Sequence, residues 1–484
     1  MRSSSLRSKV FGIDTRGLAA FRIGIGLLLL TDLWLRATDL EAHYTDLGIL
    51  PLDVLQRVTD GTGFWTFHSL HGSSTFQLLL FSLAGIFATA YLFGYFTRCA
   101  AIISWVLLLS LQYRNPYVVN GGDVLLRMLL FWSIFLPLDR HWSLASRKTT
   151  TREATTVLNI ASAAILLQVG LLYVMAGYFK LRGSWYDPNV LAGIFESDLY
   201  AKPLAHYLGD YPRLLSVAGW LTLVGELALP IIIFSPFGTR VIRNFAFSWF
   251  VFFHIGIDLT LTVGLFSFAS CVAWILFLPS TTWDRITRIP AAEALSNEEA
   301  TPQRRWPKTL VQAFVALCFA FVVWVNLTSV REPWAASLRT EWVNDLSVMT
   351  GMRQKWSLFS KPLAKDGWFI GVARLANGDA VDVFRDGKAA DWESYSKPQY
   401  VYRQFPNHRW RKYYCRTLTS TRVNLRNPLS HYLIRNWNET HDADQQIEAF
   451  ELHFMQEIGP DEEGIERYRQ RFFSDIDLSE TGQT

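Results

Sequence analysis

Residues 157–179 read VLNIASAAILLQVGLLYVMAGYF, a run without one charged side chain. Crossing a hydrocarbon core takes about 20 apolar residues in a helix. Only helices or closed barrels satisfy their backbone polar groups there. The run therefore predicts a transmembrane helix. Working outward, eight further runs read the same way: 18–35, 75–95, 99–114, 122–138, 214–235, 243–260, 263–281 and 308–329. The expected fold class is an all-α polytopic membrane bundle of about nine transmembrane helices. A C-terminal extramembrane domain, α+β or β-rich, follows it. The boundaries expected are 1–330 for the bundle, 335–475 for the extramembrane domain and 476–484 for a disordered tail.

Composition agrees with a membrane chain. Of 484 residues half are hydrophobic and only 18% are charged, against about a quarter charged in ordinary soluble domains. The mean hydropathy is +0.15. The 19 Trp and 34 Phe suit rings seated at bilayer interfaces. A net charge of +4 with no clustered basic face argues against a nucleic-acid partner. Cys99, Cys271 and Cys318 fall in apolar runs and Cys415 stands alone, so neither a disulfide framework nor a metal site is expected. The charged start of the chain resembles a signal peptide's, but residues 18–35 are long enough to span and read as the first membrane helix.

The loop 36–74 has an apolar middle, Leu47 to Val58, and 183–212 mixes Trp185, Tyr186, Tyr200, Tyr207 and Tyr211 with Pro and Asp. Both read as segments lying in the interface. Arg2, Arg7, Lys9 and Arg16, then Arg140, Arg147, Lys148 and Arg152, then Arg240 and Arg243, then Arg285, Arg288, Arg304, Arg305 and Lys308 fall on one face of a nine-span topology. Positive charge stays inside, so the N-terminus is expected in the cytoplasm and the C-terminal domain outside it. An eight-span count would reverse that domain. Within it, Gly367 to Ala376 reads as a strand, Asn377-Gly-Asp as a hairpin turn and Ala380 to Phe384 as the returning strand. Residues 407–417 and 425–438 read as helices, and 446–455 as a further strand with a slip at Ala449-Phe450.

Ionisable side chains at membrane depth cost about 2.5–3.5 kcal/mol on insertion scales and usually have a partner or a task. The expected members are Arg22 and Asp32, Asp123 and Arg127, Lys180, Glu226, and His254 and Asp258. Asp123 and Arg127 share a helix face at i, i+4 and can pair. His254 and Asp258 have the same spacing, and a carboxylate beside a histidine orients its ring. Glu226 is expected to neutralise a neighbouring cation. Arg22 and Asp32 are expected to reach toward water. Lys180 reads either as an interface anchor or, if turned into the bundle, as a usable base.

Four pieces carry a family resemblance: Leu18-Ala-Ala-Phe-Arg-Ile, Arg140-His-Trp-Ser-Leu, Ala176-Gly-Tyr-Phe-Lys-Leu, and Phe253-His-Ile with Val263-Gly-Leu-Phe-Ser-Phe. Through them, residues 10–285 resemble the horizontally transferred transmembrane (HTTM) domain, whose best-known members are vitamin K-dependent γ-carboxylases. Arg353-Gln-Lys-Trp-Ser-Leu-Phe-Ser-Lys-Pro, Asp366-Gly-Trp and Asn407-His-Arg-Trp-Arg-Lys-Tyr look like the extra domain of bacterial members. The resemblance implies a carboxylase/epoxidase, a lyase, in a bacterial inner membrane. Its cofactor would be a reduced naphthoquinone of the vitamin K or menaquinol type. Lys180 would deprotonate it, oxygen would turn it into a strong base, and carbon dioxide would add to a peptide glutamate. His254 and Asp258 would support Lys180 as catalytic residues. Asn120, Asp123 and Arg127 would bind substrate near the head group. Membrane lipid and a peptide or protein substrate on the outer face would be the partners. The carboxylases' Asn-His pair is here Asn120-Gly121-Gly122-Asp123, without the His. The other readings are a non-catalytic maturation, export or immunity factor binding lipid or peptide, and, more weakly, a transporter.

Overall fold

The computed structural model describes residues 6–146, 156–287, 308–362, 366–390, 395–460 and 466–478. Arg2, Arg147, Lys148, Arg152, Arg288, Arg304 and Arg305 of the expected basic pattern, and residues 479–484 of the expected tail, lie outside them.

Asp14 opens α1 (Thr15–Ala37) by accepting the Arg16 amide at 2.8 Å, which satisfies one of the helix's orphan donors. The helices α2 (Ser74–Phe93), α3 (Thr97–Arg114), α4 (Gly121–Ser133) and α5 (Ile160–Leu181) follow. Reciprocal capping boxes start two of them: Asn120 with Asp123 for α4, and Asn159 with Ser162 for α5. Then come α6 (Pro212–Ile232), α7 (Thr239–Thr260), α8 (Phe266–Trp274), α9 (Ser280–Thr287) and α10 (Lys308–Thr328).

Five of these are long and apolar enough to cross a membrane: α1, α2, α5, α6 and α10. A sixth would be the pair 266–277 and 280–287, which is bent by 103°. Of the nine expected spans, five or six meet that measure among the described residues. Residues 99–114 form a helix, but α3 carries Arg98, Gln112 and Arg114. The helix at 122–138 is only 13 residues long. The span expected at 243–260 holds His254 and Asp258, with Arg240 and Arg243 at its start. Leu79, Val217, Phe252 and Leu317 are exposed along the helices, a lipid-facing surface that a water-soluble chain would not tolerate. The molecule is an integral membrane protein by these apolar helices.

The C-terminal part is a five-stranded antiparallel sheet with two helices. Strands β1 (Gly367–Leu375), β2 (Ala380–Asp382), β3 (Lys388–Ala389), β4 (Ile447–Pro460) and β5 (Glu466–Asp477) lie in the order β3-β2-β1-β4-β5. Phe369 pairs with Phe454, and the register slips between Arg374 and Leu375, opposite the Ala449 irregularity. Helices α11 (His408–Thr417) and α12 (Arg426–Asn438) pack on the sheet. Trp368, Phe369, Tyr413, Phe450 and Phe454 form its core.

Bundle and domain share side chains. Ile49, Leu50, Val54 and Leu55, from the segment expected to lie in the interface, are buried in the domain's core instead. In the other direction, Met352 and Trp356 are buried in the bundle's core. Trp356 Nε1 donates to Gln354 at 2.9 Å, and Gln168 of α5 donates to the same oxygen at 2.9 Å. Met352, Gln354 and Trp356, at the start of the segment flagged in the sequence as Arg353 to Pro362, therefore form a plug set among the helices.

Candidate functional site

Among the described residues, two buried clusters of charged and polar groups hold the expected site residues of the bundle. In the first, Lys180 sits in the last turn of α5, whose helical period turns it inward beside Gly177 and Tyr173. Its ammonium donates to both carboxylate oxygens of Glu226 on α6, at 2.7 and 3.0 Å. Both residues are about 5% exposed or less, so Lys180 faces the bundle rather than the interface. Glu226 neutralises a cation, as its position implied. The indole of Trp185 lies 5.1 Å from the ammonium, a favourable place for a cation.

Beside this pair runs a hydrogen-bonded chain. Trp274 Nε1 of α8 donates to the Tyr173 hydroxyl at 2.9 Å, and that hydroxyl lies 2.6 Å from His254 Nε2. With the indole as donor, the tyrosine proton is free to go to Nε2, leaving the ring proton on Nδ1. Nδ1 is buried and has no hydrogen-bond partner among the described residues. Lys180 acts on His254 electrostatically.

The expected His254–Asp258 pair does not form. His254 leans inward to Tyr173, while Asp258, one turn on, is a third exposed and 4.0 Å from Lys202 Nζ. Shared helix face is necessary for contact, but here the last turn of α7 carries Asp258 beyond the bundle's interior. Thr260 begins the exit from the helix.

The second cluster overturns the Asp123–Arg127 pair. Asp123 accepts Arg36 Nη2 at 2.6 Å, Arg409 Nη1 at 3.4 Å and the Asn120 amide at 2.7 Å. Asp32 accepts Arg36 at 2.8 Å and Arg409 closely. Arg127 instead donates to Gln112 at 2.5 Å and to the Arg353 carbonyl at 3.0 Å. The two carboxylates and two guanidiniums at 32, 36, 123 and 409 balance, as buried ions must. Asp32 therefore does not reach toward water, and neither does Arg22, which donates to the carbonyls of Leu138 and Trp142 at 3.0 and 2.5 Å. Asn120 spends its side-chain oxygen on the amides of Gly122 and Asp123, at 2.7 and 3.2 Å.

The sequence reading missed Arg409. The motif Asn407-His-Arg-Trp-Arg-Lys-Tyr marked its location but not its partners. That motif bolts the domain to the bundle: Asn407 Nδ2 and Trp410 Nε1 donate to Asp39 at 2.6 and 3.0 Å. Arg411 donates to the carbonyls of Leu199 and Thr262 at 2.9 and 2.7 Å. Between bundle and domain lies a cavity of about 310 Å³. Asn120 and Phe266 line it from the helices, and Phe359, His408 and Lys412 line it from the domain side. Phe266 also packs its ring 5.5 Å from His254, so the cavity lies one side chain away from the buried chain.

No curated protein and no solved structure matches this chain. The family model described as the HTTM domain matches residues 12–283, the part that holds Lys180, Glu226, Tyr173 and His254. The chain belongs to the HTTM domain family, and so is a membrane protein related to the vitamin K-dependent carboxylases.

Proposed function

We propose that this protein is a membrane enzyme that uses a reduced naphthoquinone, of the vitamin K or menaquinol type, to carboxylate or oxidise a peptide or small substrate. The observation that carries the reading is the dry Lys180–Glu226 pair next to the Trp274–Tyr173–His254 chain. The unpartnered Nδ1 of His254 is a spare polar atom of the kind a phenolic head group would meet. When bound, the reduced naphthoquinone would supply reducing equivalents and an acidic hydroxyl.

Lys180 and Glu226 hold one proton between them. In a dry site the amine–acid form of such a pair competes with the ion pair, and in that form Lys180 carries a lone pair able to accept a proton. His254 and Tyr173 orient one another and exclude water together with Phe250 and Phe266. Asp258 has no part in this reading because it faces Lys202. Asn120, Asp123 and Arg127 hold the domain and the start of α4 in place, so their role in substrate binding is indirect. The basic-residue pattern supports a cytoplasmic N-terminus, with the domain outside a bacterial inner membrane and facing its substrate.

The test is extraction of bound lipids from the detergent-purified protein, followed by mass spectrometry for menaquinone and its epoxide, with Lys180→Ala beside it. Quinone in the wild type and loss of the epoxide in the variant are expected. Glutamate peptides are then assayed for a gained carboxyl group. Absence of quinone from both folded samples overturns the reading. One observation favours a non-catalytic maturation or export factor instead: the charge of Lys180 is already met by Glu226. Peptide capture without turnover would establish that alternative.

A further inference from the structure

The lining of the cavity between bundle and domain mixes two kinds of side chain. Phe266, Phe359 and Val263 are apolar. Lys412, Arg411 and Lys361 are basic, and His408 joins them from beside Gly264 of the α7–α8 link. The described lining contains no Asp or Glu. Cations gathered without carboxylates are costly unless an anion joins them.

Each basic group has an observable state. Arg411 is buried, held by two carbonyls and stacked 3.7 Å over Tyr200, so its charge is fixed in place and unmatched by a carboxylate. Lys412, next along α11, is half-buried and makes no hydrogen bond or ion pair among the described residues. Burial and the nearby Arg416 guanidinium pull its pKa down to about 8, the response of an ammonium lacking a counter-charge. His408 is 8% exposed, and its Nε2 has no hydrogen-bond partner among the described residues. Burial first, then Arg409, holds His408 down at about 3, so it stays neutral and can offer an N–H. Phe359 adopts φ +48°, a conformation that bulky residues rarely adopt and that surrounding structure must impose. Phe359 lines the cavity and packs its ring 5.6 Å from that of Tyr200.

We propose that this cavity binds a phosphate group carried on an apolar body. The phosphate faces Lys412, His408 and Lys361, and the apolar part lies against Phe266 and Phe359. Several cations in one lining suit a phosphate's multiple charged oxygens better than a neutral head. The cavity opens where the helices end, so two sources share this chemistry: a membrane phospholipid and a soluble phosphate ester. The inference is independent of the quinol reading, since neither Lys180 nor Glu226 lines the cavity.

The test uses the full chain in maltoside detergent. Dodecyl phosphate, dodecanol and inorganic phosphate are titrated by calorimetry against wild type, Lys412→Gln, Lys412→Arg and Lys361→Gln. Dodecyl phosphate is expected to bind more tightly than either dodecanol or inorganic phosphate. Lys412→Gln is expected to weaken it about tenfold or more, with Lys412→Arg retaining it. Lys361→Gln, at the exposed rim, keeps the test usable should Lys412→Gln misfold, and is expected to weaken binding less. Competition by phosphatidylglycerol nanodiscs would name a lipid as the source, and its absence a soluble ester. Equal affinity for dodecyl phosphate and dodecanol overturns the proposal, as does a folded Lys412→Gln that binds like wild type.

Discussion

Glu226 is the only acidic group among the described residues in hydrogen-bonding contact with the Lys180 ammonium. Glu226→Gln removes the charge and leaves a buried cation. Thermal unfolding in detergent should show a loss of about 3–5 kcal/mol, and Lys180→Met with Glu226→Leu should recover most of it. Asp366 offers a second residue-scale outcome, outside the membrane. It accepts the amides of Asp198 and Leu199 at 2.9 and 3.3 Å and so joins domain to bundle. Burial, then Asp198 and Glu457, raises its pKa to about 6. Lys397 bridges Asp198 and Glu457 at 2.5 and 2.7 Å but leaves Asp366 unpaired with a cation. A raised carboxyl pKa means that the stabilising form is the protonated one. Its contribution is full below about pH 4 and is lost as pH climbs through about 6. Melting temperature should therefore rise between pH 7 and pH 5, and Asp366→Asn should flatten that slope.

At the scale of elements, α11 is the bolt. Its first turn carries Arg409, 1% exposed, which answers Asp32 and Asp123 from two helices of the bundle. Arg409→Met leaves two buried carboxylates sharing Arg36 alone. Limited proteolysis should then cut the chain near the domain boundary, where the wild type resists. Gly264, in the α7–α8 link, has φ +64°, and a Cβ there would lie 2.6 Å from His408 Nε2. Gly264→Ala should cost more than about 1 kcal/mol in chemical denaturation, and it should shift the cavity's His408. Strand β5 shows how an element escapes sequence reading. Half of its Glu466 to Asp477 sequence is charged, as suits the sheet's edge strand, where charge guards against further pairing. The inner strands β1 and β4 are rich in apolar residues, buried for much of their length, and were legible.

For the whole molecule, the plug and the bolt make bundle and domain interdependent. Trp356 fills the bundle's core, and the loop around Leu50 fills the domain's. A chain cut after residue 335 would lose Met352 and Trp356 from the bundle and Arg409 from the Asp32–Asp123 site. It should elute as aggregate on size exclusion in detergent, and the full chain as a single symmetric peak.

Hydropathy is a local property, so the apolar runs and the hairpin at Asn377 could be read directly from the residues. So could the list of ionisable groups in the bundle, and the expectation that Glu226 meets a cation. The partners could not be read, because pairing of buried charges depends on which helices become neighbours. Spacing of i, i+4 suggested Asp123 with Arg127 and His254 with Asp258. The fold instead gave Asp123 a cation 286 residues away and His254 a tyrosine 81 residues away. Fewer helices than apolar runs pass the spanning measure among the described residues, since one run is helical only from Gly121 to Ser133 and Arg98, Arg114, Arg243 and Asp258 make two others polar. Sequence alone determined that the chain is a membrane bundle with an added domain. Only the tertiary structure decided which charges neutralise each other, and which cations at the cavity are left facing a space of their own.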